Sequence, residues 1–117
     1  AAAAISFGNR ELAGIVLTSS VTGGKKTSGV QAQELGTIRI PVLVMHHESD
    51  SCNSCSPIDV SRITNGLSNA PVKKQIMVNG GANPRGDACE AMHWHGFIGM
   101  EKEAVEIISN WIKSPKA

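Results

Sequence analysis

The chain has 117 residues, 41% of them apolar and 18% charged, with a formal net charge of +1. That composition is the one expected of a soluble globular protein rather than a disordered one, and the length suits a single domain burying roughly two-thirds of its unfolded surface. The near-neutral balance and a pI near 8.0 give no electrostatic case for nucleic acid or an acidic membrane, and no apolar run approaches the ~20 residues a membrane span requires.

Ala1 to Phe7 favours helix, with Gly8 placed to stop it in a left-handed cap. The opening Ala1-Ala2-Ala3-Ala4-Ile5 has neither the basic region nor the cleavage pattern of a signal peptide and reads as the middle of a helix. Leu12-Ala13-Gly14-Ile15-Val16-Leu17-Thr18 is a continuous apolar run of strand length, the pattern of a strand buried on both faces of a parallel sheet. Val21 to Gly36 is polar and punctuated by Gly23-Gly24 and Gly29, a loop with room for one helical turn at Val30 to Leu35. The pairs Lys25-Lys26 and Lys73-Lys74 are the densest basic clusters and read as solvated surface.

Ile38 to His46 is the second predicted strand. Ser56-Pro57 then supplies an N-cap followed by proline at the first helical position. The helix runs to about Asn69, with Ile58, Val60, Ile63 and Leu67 expected to face inward. Pro71 ends it, Val72 to Val78 forms the third strand, and Gly80 to Gly86 is a loop. A last helix near Met100 to Lys113 is expected to bury Ala104, Ile107, Ile108, Trp111 and Ile112 at three- and four-residue spacing.

Strands alternating with helices imply an α/β fold of three parallel strands with flanking helices and right-handed crossovers, in one unit spanning residues 1–117. Sites in such sheets lie beyond the carboxyl ends of the strands. Asp50 follows the second strand there and His95 follows the third, so both fall on one rim. An acid that orients an imidazole and a histidine that moves protons are two members of a catalytic triad, and neither attacks a substrate alone.

The order resembles the carboxyl-terminal portion of the α/β-hydrolase superfamily, in particular small dienelactone-hydrolase-like and esterase-like serine hydrolases. Ala13-Gly14-Ile15-Val16-Leu17-Thr18-Ser19-Ser20 looks like the strand after the nucleophile helix, and Ile40 to His47 like the penultimate strand. Glu48-Ser49-Asp50 looks like the acid turn, Gln75-Ile76-Met77-Val78 like the last strand, and His95-Gly96-Phe97 like the histidine segment. The chain order nucleophile, acid, histidine is that of these enzymes. No Gly-x-Ser-x-Gly elbow occurs in the sequence, and the resemblance puts it upstream of Ala1. What it implies is the C-terminal part of a serine hydrolase acting on esters or related acyl compounds, with no organic cofactor and no catalytic metal. Asp50 would orient the imidazole and His95 would act as general base, then acid.

His93 competes with His95, and Gly96-Phe97 after His95 fits the family better; Glu48 is the fallback for Asp50. His46 and His47 close a strand, where one is expected to point into the sheet layer with a hydrogen-bond partner, and neither is given a catalytic role. Ser19 and Ser20 read as polar residues ending a buried strand, lacking the following helix N-terminus that an oxyanion site uses.

If the acid and histidine loops converge as the resemblance implies, a Cys52–Cys89 disulfide would tie them together, with Cys55 left over or pairing with Cys89 instead. Such a bond favours the periplasm or secretion. Cys52-x-x-Cys55 with Cys89-x-x-x-His93 alternatively supplies four ligands for a small zinc-stabilised domain, and a thioredoxin-like redox pair is a further reading. A non-catalytic α/β binding module is the remaining alternative. With the strand at 12–18 as an apolar sheet edge, the expected partner is a missing N-terminal half or a second copy of the chain, beside a small-molecule ester or acyl substrate.

Overall fold

The computed structural model describes Ile5, residues 12–24 and residues 28–117. Of the helix expected over Ala1–Phe7, only Ile5 is described, and it is helical; Lys25-Lys26 lies outside the described residues. Three strands, β1 (Ile15–Thr18), β2 (Val42–His47) and β3 (Lys73–Val78), form a parallel sheet in the order β1-β2-β3. Ile15 stands opposite Val42 and Val42 opposite Lys73; at the other end His47 stands opposite Val78. Two α-helices follow β2 and β3, α1 (Val60–Gly66) and α2 (Glu101–Lys113).

The central strand explains the core. Successive side chains of a strand point to opposite faces, and all six residues of β2 are buried. Val42 and Val44 pack with Val60, Ile63 and Leu67 of the α1 region, and with Leu35 and Ile38 from the preceding segment. Met45 belongs to the opposite layer, with Val78, Phe97, Met100 and Ala104, and Ile107 and Ile108 of α2 pack against it. The same alternation sends His46 to the α1 side and His47 to the α2 side.

Several expectations are corrected. β1 is only half-buried and Thr18 is exposed, because among the described residues β1 pairs with β2 alone and forms an edge. The expected helix from Pro57 begins as a 3-10 turn over Pro57–Asp59, and Ser56 makes no side-chain cap. The Ser56 carbonyl instead accepts from the Thr22 hydroxyl at 3.1 Å. Ile58 is 87% exposed. It lies five residues before Ile63, about 140° around an α-helix, and thus off the Val60–Ile63–Leu67 face. Ile112 is also exposed, at the margin of a stripe whose buried centre is Ala104 and Trp111. The loop turn expected at Val30 to Leu35 is two 3-10 turns, Val30–Ala32 and Leu35–Thr37. Among the described residues no helix is long and apolar enough to cross a membrane.

Candidate active site

Asp50 is fixed by the turn that ends β2, where its N–H donates to the His47 carbonyl at 3.1 Å. The carboxylate is buried and fully engaged. Oδ1 accepts the Cys52 N–H at 2.9 Å, and Oδ2 lies 2.9 Å from His95 Nδ1 and 3.2 Å from His46 Nε2. Burial alone would push this carboxyl up. The hydrogen bonds from His46, the Cys52 N–H and His95, together with the His95 charge, outweigh it and hold Asp50 below the usual carboxylate range.

His95 comes from a different direction. After β3 the chain runs through residues 79–93 without helix or strand, then forms a 3-10 turn over Trp94–Gly96. The Gly96 N–H donates to His93 O and the Phe97 N–H to Trp94 O, while Phe97 takes a left-handed φ of 58°. A Cβ at position 96 would collide with the Ala91 carbonyl, so this turn requires glycine directly after the histidine. The Ser19 hydroxyl donates to the His95 carbonyl at 2.6 Å, anchoring the turn to the end of β1. Because the Asp50 carboxylate can only accept, Nδ1 carries the imidazole hydrogen, and the Nε2 lone pair is left as a base.

The two histidines closing β2 position this pair. A carbonyl can only accept, so His46 donates from Nε2 to Cys55 O at 2.7 Å, with Asp50 Oδ2 sharing the hydrogen; its Nδ1 is buried with no partner among the described residues. His47 donates from Nε2 to Gly80 O at 3.0 Å and accepts the Ser49 N–H on Nδ1 at 3.0 Å. Its ring stacks on Trp94, with centroids 5.0 Å apart. His47 thus joins the acid turn, the start of the long loop and the residue preceding His95. Sequence reasoning expected one of these two rings to point inward and bond; both do. His46 reaches Asp50 across the turn that ends β2, and no periodicity in the sequence marks that contact.

The remaining expectations sort clearly. Cys52 and Cys89 form a disulfide, with Cα atoms 4.7 Å apart, that ties the acid loop to the histidine loop; Cys55 is free and buried. Burial pushes the Cys55 thiol up, and the Asp50 charge adds to it, so it is a poor nucleophile at neutral pH. His93 packs edge-on against Trp94, and Glu48 is exposed. It is His95, not His93, that gathers with Cys52 and Cys55. Ser19 commits its hydroxyl hydrogen to a backbone carbonyl rather than to the imidazole.

Comparison of the chain with protein-family models, with curated proteins and with solved structures finds no match. What the site offers chemically is a dyad: a buried, ionised carboxylate holding a half-exposed imidazole in the tautomer that leaves Nε2 free to take a proton. Away from it, an apolar hollow of about 260 Å³ runs between the β1 edge and the end of α2, lined by Gly14, Ile15, Val16, Trp111 and Ile112 among others.

Proposed function

We propose that the chain is the carboxyl-terminal part of an α/β-hydrolase-like serine hydrolase acting on esters or related acyl compounds, in which His95 is the general base and Asp50 its orienting acid. The observation that carries this reading is the 2.9 Å bond between His95 Nδ1 and Asp50 Oδ2, made across 45 residues at the carboxyl-end rim of a parallel sheet. In the reaction, Nε2 takes the proton of a serine hydroxyl as its oxygen attacks the acyl carbon. The resulting imidazolium, stabilised by Asp50, returns the proton to the leaving alkoxide, and water then opens the acyl-enzyme by the same relay.

The nucleophile and the oxyanion donors belong, on this reading, to chain beyond these residues that pairs with the open edge of β1. The half-buried apolar side chains of that strand and the hollow beside it support such a partner, and a second copy of the chain is the alternative occupant. The disulfide supports a periplasmic or secreted location.

Full-length protein should turn over p-nitrophenyl esters and be labelled by a fluorophosphonate on a serine outside residues 1–117, and His95→Ala should abolish both. Hydrolysis that survives His95→Ala would overturn His95 as the base, and no hydrolysis to lose would leave a non-catalytic binding module. Serine-type turnover by the isolated monomeric chain would refute the missing nucleophile.

A further inference from the structure

The sulfurs of Cys52 and Cys55 and a ring nitrogen of His95 lie within 4.8 Å of one another. Tetrahedral zinc, with Zn–S near 2.3 Å and Zn–N near 2.0 Å, spaces its ligands about 3.5–3.8 Å apart, so these donors need to close by little more than about 1 Å. The fourth donor is already attached to the cluster: Cys89 is bonded to Cys52 and stands on the largely exposed loop 79–93, which forms no helix or strand. Cys52 and Cys55 are both buried and separated by two intervening residues, the spacing of structural zinc sites.

We propose that reduction of the Cys52–Cys89 disulfide turns Cys52, Cys55, Cys89 and His95 into a zinc site that takes the His95 base out of service. While the disulfide is closed, neither of its sulfurs is a thiolate, and only Cys55 and His95 remain as ligands. An external dithiol attacking the disulfide from the side of the exposed residue Cys89 supplies two electrons and two protons to the bond and is itself oxidised to a disulfide. Zn²⁺ then displaces three thiol protons and binds the neutral imidazole. Asp50 and the ion would share the two nitrogens of the ring, in the carboxylate–histidine–zinc arrangement that fixes ring orientation. The positive ion also offsets the accumulation of Asp50 and thiolate charge in one buried place. Zinc capture stands independently of the hydrolase reading; only the loss of turnover rests on it.

The test uses the full-length protein, oxidised or reduced with a phosphine, loaded with zinc, desalted and assayed for metal. Reduced protein should retain about one zinc per chain more than the oxidised form, and cobalt in its place should give the absorption of a tetrahedral thiolate site. Cys55→Ser and His95→Ala should each weaken zinc binding at least 10-fold against a chromogenic chelator. Reduced wild-type protein that retains no more zinc than the oxidised form, or variants that bind as tightly as wild type, would overturn the site. Zinc retention without ester turnover in either redox state would sink the hydrolase reading and keep the site. Turnover that persists unchanged in the reduced, zinc-treated protein would refute capture of the base.

Discussion

His46 and His95 address the same oxygen of Asp50, from 3.2 Å and 2.9 Å. One ring is buried in the α1 layer and the other half-exposed at the rim, so a single carboxylate couples the interior of the sheet to the solvent-facing base.

On the proposed hydrolase reading, replacing Asp50 by Asn in the full-length protein should lower kcat for ester hydrolysis by about 10³–10⁴-fold, because the amide favours the wrong imidazole tautomer. His46→Leu should cost less, about 10-fold, since His95 and the Cys52 N–H still hold the acid. Steady-state kinetics on p-nitrophenyl esters checks both, and equal losses would contradict the supporting role of His46.

Acid should destabilise the fold through Asp50. Its folded-state pKa is depressed, so its contribution is fully present above the unfolded carboxylate value, about 3.9, and is lost as pH falls through the lower folded value. Asp50→Asn should flatten this limb of stability against pH, read from denaturant unfolding between neutral pH and the acid range. An unchanged slope would show that other carboxylates dominate.

Gly96→Ala should separate geometry from chemistry. The added Cβ meets the Ala91 carbonyl, which forces the Trp94–Gly96 turn to shift. A displacement of order 1 Å at His95 costs about 10²-fold in kcat. On the hydrolase reading, the rate at which a serine of the full-length protein is labelled by fluorophosphonate should fall in parallel, while the circular dichroism spectrum stays native.

The disulfide should be a large stabilising element. It spans a sequence separation of 37, for which chain-entropy arguments give about 4 kcal/mol. Cys52→Ala with Cys89→Ala should lower the unfolding free energy by that order, measured in urea. A loss well under 1 kcal/mol would mean that the unfolded chain is already held compact.

Most of the architecture was legible because continuous apolar runs and prolines mark the strands and their ends. Met45 and Val44 could be placed in a buried strand from composition alone. The helix after Cys55 was legible in its Val60, Ile63, Leu67 stripe, but Ile58 was misassigned because the 3-10 entry at Pro57 leaves no trace in the apolar spacing. Ile112 failed for a related reason: periodicity identifies a stripe, not where its margin meets solvent. The contact of Asp50 with His95 was legible from the place of Asp50 after β2 and from Gly96-Phe97 following His95. The bonds of His47 to Gly80 and Ser49 were not, since they depend on where a loop without regular structure returns.

Two neighbouring histidines at the tip of β2 act as a gauge for that strand. His46 meets the acid on one face while His47 braces the histidine loop on the other. Because strand faces alternate residue by residue, inserting or deleting one position in β2 would exchange the two rings and undo both contacts together, along with the division of Val44 and Met45 between layers. Substitution within this strand is therefore a local perturbation, whereas a change in its length misaligns the whole rim.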